Sequence, residues 1–133
     1  MTVFVDTSAF LAIFAADDEF HGAAEQVWRA LIAEEESLVC NNYVLIETLT
    51  LLQRRLGMAA ARSFQANVMP SLSIHWVDET LHERAISALL TADRRYLSLV
   101  DCSAFETMRL HGITRAFTFD AHYANFGFEI LPS

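Results

Sequence analysis

The chain has 133 residues, 53% of them hydrophobic and 20% charged, with 4 Gly and 2 Pro. Such proportions exclude a disordered or collagen-like chain and predict one helix-rich domain, residues 1–133, able to bury a core without disulfides or metal staples. The formal net charge of −8 and a pI near 4.9 exclude a protein that holds nucleic acid by bulk charge, because binding of that kind rests on Lys and Arg.

In chain order, residues 2–5 are uninterrupted apolar strand material that runs straight into Asp6. Thr7 and Ser8 offer N-cap oxygens to a helix over residues 9–16. That segment has no basic residue before it and is too short to span a membrane, so neither a signal peptide nor an anchor is expected. A second helix is predicted from residue 18, with Asp17, Asp18 and Glu19 at its start and an apolar stripe of Ala24, Val27, Trp28, Leu31 and Ile32 facing a core. The run Glu34 to Glu36 opposes the dipole at its end and marks a solvated loop.

A short strand over 37–40 follows, then Asn41 and Asn42 cap a helix over 43–56 that Gly57 terminates. A helix over 58–68 stops before Pro70. Residues 73–77 alternate as an edge strand does, and Asp78 to Thr80, with Thr80 and Glu83 in capping-box spacing, open a helix to residue 90. Ser98 and Asp101 open another, ending at Gly112, and strands are predicted over 116–119, leading into Asp120, and over 128–131. Strands alternating with helices imply one nearly parallel sheet covered on both faces. Cys40 and Cys102 fit no zinc pattern and read as free thiols of a reducing cytoplasm.

Four acids lack local partners. Glu47 has Tyr43, Val44, Thr50 and Leu51 at helical spacing, and Asp101 has Leu97, Ser98, Ala104 and Phe105. A buried carboxylate without a partner must find a distant Arg, stay protonated or bind a cation. For Glu47 the alternative is a salt bridge to Arg94 or Arg109, and for Asp101 a capping box. Asp6 and Asp120 each end an apolar strand, so in a parallel sheet both face the crevice where such folds bind ligands. Oxygen-only ligands suit Mg²⁺ or Mn²⁺, which activate water against a phosphodiester. Four carboxylates around two such ions would move the net charge from −8 to about −4.

Val5-Asp6-Thr7-Ser8, Ile46-Glu47-Thr48, the opening from Ser98 through Asp101 to Ser103, and Thr118 through Asp120 to Tyr123 with Gly127-Phe128 together resemble the PIN domain, most of all its bacterial VapC-type toxins. The resemblance implies a three-layer α/β/α fold with a parallel five-stranded sheet in the order 3-2-1-4-5. It also implies a ribonuclease dependent on one or two Mg²⁺ or Mn²⁺ ions, often a homodimer, held inactive by a cognate antitoxin. Carried over by position, Asp6, Glu47, Asp101 and Asp120 become the catalytic and metal-binding acids, with Thr7, Ser8 and Ser103 as supporting hydroxyls. The position after the last Asp, often basic in such proteins, is Ala121 here.

All nine basic residues are Arg, so phosphate contacts would be planar and bidentate. Arg54, Arg55, Arg94 and Arg95 are candidate RNA contacts, and His122 a candidate substrate contact. Two other readings are an aspartyl-phosphate phosphotransferase, whose nucleophile also follows the first strand, and a non-catalytic module whose acidic cleft receives a basic partner segment.

Overall fold

A computed structural model describes residues 1–133. Five strands, β1 (Thr2–Val5), β2 (Ser37–Asn41), β3 (Leu72–His75), β4 (Arg115–Phe117) and β5 (Glu129–Leu131), form one sheet in the order β3-β2-β1-β4-β5. Every neighbouring pair is parallel, as in the expected topology. Successive side chains of a strand point to opposite faces, yet Val3, Phe4 and Val5 are all fully buried, so helices must cover both sides of the sheet.

Those helices are α1 (Thr7–Phe14), α2 (His21–Ala33), α3 (Asn42–Leu56), α4 (Met58–Ser63), α5 (Glu79–Ala92), α6 (Leu99–Leu110) and α7 (His122–Asn125). None is long and apolar enough to cross a membrane. One cluster of 26 buried residues forms the core, into which Phe10, Phe64, Phe105, Phe117 and Tyr123 put the largest side chains. Trp28 is partly buried and packs against it, and both cysteines are buried and free.

The boundaries depart from expectation where one side chain chose a different backbone partner. α1 begins at Thr7, because the cap is Asp6 itself, whose carboxylate accepts the Ser8 N–H. α2 begins at His21, not at residue 18: the Asp18 carboxylate accepts the Phe20 N–H in a tight turn, so the three acids lie outside the helix. The segment expected as one helix over 58–68 changes pitch, passing from α4 into a π turn at Phe64–Val68 and a 3-10 turn at Met69–Ser71. That change buries both Phe64 and Val68.

β3 ends at His75 because the Val77 N–H leaves the sheet for the Asn42 side chain, at 2.6 Å. α5 is capped by Asp78, not by a Thr80–Glu83 box, and runs on to Ala92, where Asp93 takes a left-handed conformation. The short α7 was not expected. Gly57 joins α3 to α4 at φ 93°, in the left-handed region that favours glycine, and its N–H closes on the Leu52 and Gln53 carbonyls.

α6 begins near the carboxyl ends of β1 and β4, where its Asp101 feels Asp6 and Asp120, and leads back to the start of β4. Asn41, at the end of β2, caps α3 through the Val44 N–H at 2.9 Å and donates to the Ser103 and Thr107 hydroxyls on α6 at 3.2 and 3.1 Å. This buried amide therefore sets where the first turn of α6, which carries Asp101, lies relative to the sheet.

Candidate functional site

Asp6 stands at the junction of β1 and α1 and is 4% exposed. Its Oδ2 accepts from the Ser8 hydroxyl at 2.7 Å, the Thr118 hydroxyl at 3.0 Å and the Ser8 N–H at 3.3 Å; its Oδ1 accepts from the Tyr123 hydroxyl at 3.0 Å. Three partners saturate Oδ2, whereas Oδ1, with one, keeps a lone pair for another ligand. The two aliphatic hydroxyls also accept from the strand end: Phe119 N–H donates to Ser8 Oγ at 2.9 Å and Asp120 N–H to Thr118 Oγ1 at 3.0 Å. Both hydroxyl hydrogens are thus committed to the Asp6 carboxylate, and the backbone that carries Asp120 is tied to it.

Asp101 is N3 of α6, and the capping box with Ser98 is present in both directions, at 3.0 and 3.3 Å. Its pKa is nevertheless pushed up to about 6, first by burial and then by the Asp6 and Asp120 carboxylates. Glu47, half-buried on α3, is pushed up as well, by burial first, with Asp6 and Asp120 adding to it and the Thr7 hydroxyl working against it. Asp6 and Asp120 thus lie close enough to act on both Glu47 and Asp101. No ion pair joins any of them to an Arg. The two arginines offered as partners for Glu47 are engaged elsewhere: Arg109 lies near Glu106 and over the Phe128 ring, and Arg94 over Phe126.

His122 joins this cluster. Its Nδ1 is buried and unhydrogen-bonded, 3.1 Å from Asp120 Oδ1 and 3.9 Å from Asp101 Oδ2. One ligand atom from each of Asp101, Asp120 and His122 lies within 4.8 Å of the others. Crowded carboxylates with no Arg partner are the arrangement a hard divalent cation would complete, with water filling the remaining positions and His122 Nδ1 close at hand. The residues present therefore fit Mg²⁺ or Mn²⁺.

Of the supporting hydroxyls, Ser8 holds Asp6 directly. Thr7 holds α3 rather than Asp6, donating to the Val44 carbonyl at 3.3 Å and lying 3.0 Å from the Thr48 hydroxyl, so it links α1 to the helix that carries Glu47. Ser103 is buried on the Asn41 side of α6, where it donates to the Val100 carbonyl at 2.6 Å; it positions α6 without touching the acids.

Arg54 and Arg55 are exposed in the last turn of α3, two helical turns beyond Glu47 and roughly 10–12 Å along the axis. Arg55 lines a cavity of about 350 Å³ with Leu11, Ala15, Asp17, Asp18 and Leu56, away from the acids. Arg94 and Arg95 lie in the exposed segment before α6. None of the four acids lines that cavity; Asp6 is buried and Glu47, Asp101 and Asp120 are half-buried.

Two residues of the site were missed by sequence reasoning, Thr118 and Tyr123. Thr118 had a signal: two residues before Asp120 on an extended segment, it shares that residue's face. Tyr123 had none, because a Tyr among aromatic residues reads as core until its hydroxyl is seen on Asp6.

A curated relative, the 23S rRNA-specific endonuclease VapC20 of Mycobacterium tuberculosis, is 36% identical over 132 residues, which cover 98% of this chain and 98% of that protein. The crystal structure of that organism's VapC20, described as a sarcin–ricin loop cleaving toxin, superposes with a TM-score of 0.84 at 37% identity over 95% of both chains. FitAcB of Neisseria gonorrhoeae shares the fold at a TM-score of 0.71 and 14% identity, over 98% of this chain and 96% of that one. The PIN domain family model matches residues 3–129, a span that contains all four acids and every strand but the ends of the first and last, and the chain belongs to the PIN-domain family.

Proposed function

We propose that the protein is a Mg²⁺- or Mn²⁺-dependent endoribonuclease acting on 23S ribosomal RNA, the toxin of a VapBC-type pair whose activity a cognate antitoxin restrains. The observation that carries this reading is the convergence of four carboxylates with no Arg partner, two of them with raised proton affinity, with His122 Nδ1 near Asp101 and Asp120. The relationship to VapC20 supports the choice of substrate.

When bound, the divalent ion supplies neutralisation of phosphate charge and activation of water. Asp101, Asp120 and His122 would hold it, with the free lone pair of Asp6 Oδ1 available beside them. Ser8, Thr118 and Tyr123 keep the Asp6 carboxylate in one orientation, so the site is preorganised at no cost during the reaction. Glu47, whose carboxylate gains proton affinity from burial and from Asp6 and Asp120, would take the proton of the attacking water. A phosphotransferase is not favoured, because the Asp6 carboxylate is 4% exposed and accepts four hydrogen bonds, which weaken it as a nucleophile.

The test is incubation of purified 23S rRNA with the protein plus Mn²⁺ or EDTA, followed by mapping of RNA ends. A single new end that needs the metal and is lost in Asp6→Asn and Asp101→Asn is expected. Undiminished cleavage by both variants would sink the assignment. So would calorimetry that finds no divalent-metal binding but tight binding of an Arg-containing peptide, the behaviour of a non-catalytic module.

A further inference from the structure

Phe20, the residue before α2, is a large aromatic left 42% exposed on the turn that leads from α1. It stacks face to face on Phe119, with ring centroids 4.6 Å apart and planes 11° from parallel. Phe119 is anchored in turn by an edge contact to the fully buried Phe117. The three rings lead from the core to the surface, and Phe20 is the last of them.

This ladder is joined to the acidic site. Phe119 immediately precedes Asp120, and its N–H donates to the Ser8 hydroxyl that holds Asp6. Phe20 is also held by its turn. Its N–H is bound by Asp18 at 2.8 Å, and the neighbouring His21 meets the Ala12 carbonyl through Nδ1 at 2.8 Å. An aromatic plane fixed in orientation and joined through Phe119 to the segment that carries Asp120 gives a nucleobase a partner at little entropic cost.

Charge supplies the second argument. Of nine arginines, Arg29 and Arg115 are paired with Glu25 and Glu129, and Arg109 lies near Glu106, in a chain of net charge −8. The other six arginines belong to no ion pair, yet 17 carboxylates outweigh them, so a non-ionic source of affinity for RNA adds to what they supply, and base stacking is one that salt and net charge leave intact.

We propose that Phe20, backed by Phe119, is a stacking platform for one base of the RNA substrate next to the cleaved bond. This rests on the RNA-endonuclease reading above. Apolar cover for Phe119 is the competing role, and it separates from stacking by substitution: Phe20→Leu still covers the ring beneath but offers no aromatic face, whereas Phe20→Trp offers a larger one.

The experiment uses the full chain, 23S rRNA, and a synthetic RNA hairpin spanning the mapped cleavage site, with 2-aminopurine placed in turn at each flanking nucleotide. Phe20→Leu and Phe20→Ala should raise KM for the hairpin about ten-fold and leave kcat within about two-fold, the size expected for loss of one base–aromatic stack. Phe20→Trp should keep the wild-type KM. In EDTA, where binding proceeds without cleavage, one 2-aminopurine position should be quenched by the wild type and by Phe20→Trp, and by neither of the other two. Wild-type cleavage with KM and quenching unchanged in Phe20→Leu and Phe20→Ala overturns the platform alone. A wild-type protein that cleaves neither 23S rRNA nor the hairpin overturns the nuclease reading, and the platform with it.

Discussion

A hydroxyl on a buried carboxylate is the smallest unit of this site. Tyr123 is fully buried and reaches Asp6 Oδ1, and its own pKa is driven well above the ordinary tyrosine value by burial and by that carboxylate, so it remains a donor. Tyr123→Phe keeps the ring against Phe105 and Phe128 but withdraws a hydrogen bond from a charged acceptor. A loss of about 1.5–3 kcal/mol in urea denaturation is expected, and an unchanged midpoint would show the contact to be idle.

Asp101 makes the opposite contribution. Its folded pKa of about 6 lies above the reference 3.8, so between those values the folded chain holds a proton that the unfolded chain releases. Stability from this group is therefore full below pH 3.8 and lost as pH rises through about 6, by about 3 kcal/mol in all. In EDTA, Asp101→Asn should gain on the wild type by up to about that amount between pH 4 and pH 7, since Asn can still accept the Ser98 N–H. Mn²⁺ should remove the gain by relieving repulsion in the wild type alone. A pH-independent difference between the two proteins would contradict the crowded-carboxylate picture.

At the level of elements, the site depends on how α3 and α6 are seated at the ends of the strands. Asn41 does this with three contacts, one capping α3 and two reaching α6. Asn41→Ala removes an N-cap, at a cost of about 0.5–2 kcal/mol, and two buried hydrogen bonds of about 1 kcal/mol each. A total loss of roughly 2–4 kcal/mol in chemical denaturation is expected, with RNA cleavage falling as Asp101 loses its fixed position. Asn41→Ala protein of wild-type stability would mean that α6 is seated by its apolar face alone.

Across the whole molecule, an acidic surface faces a polyanionic substrate. Arg54, Arg55, Arg62, Arg84 and Arg95 are exposed and belong to no ion pair, and they surround no single groove. If about three meet phosphates, the log–log dependence of RNA affinity on monovalent salt should have a slope near −2, from about −0.7 per contact on a single strand. A slope several times steeper, measured by fluorescence anisotropy in EDTA, would place the binding energy in ion pairs and weaken the case for stacking.

The sheet was readable because its information is local. Apolar runs, caps and glycine stops alternate along the chain with strand and helix periods, and a parallel order follows once strands and helices alternate. The four acids were readable for a related reason: a carboxylate with only apolar or uncharged neighbours at helical spacing, or at the end of a buried strand, conflicts with its surroundings, and that conflict is written in the sequence.

Which groups resolve the conflict was not. Thr118 and Tyr123 lie 112 and 117 residues from Asp6, and no periodicity links a hydroxyl to an acceptor that far away. His122 has no ligand spacing in the sequence and enters the cluster only because α7 turns its ring between Asp101 and Asp120. Ser103 and Thr7, written within the motifs, were turned elsewhere by packing, Ser103 toward Asn41 at the end of β2 and Thr7 toward α3. Local sequence specifies what a backbone segment becomes and which side chains are out of place in it. The partners of those side chains are chosen by the meeting of β1, β4, α6 and α7, because hydrogen bonds and ligand fields act over a few ångströms of space, whatever the distance along the chain.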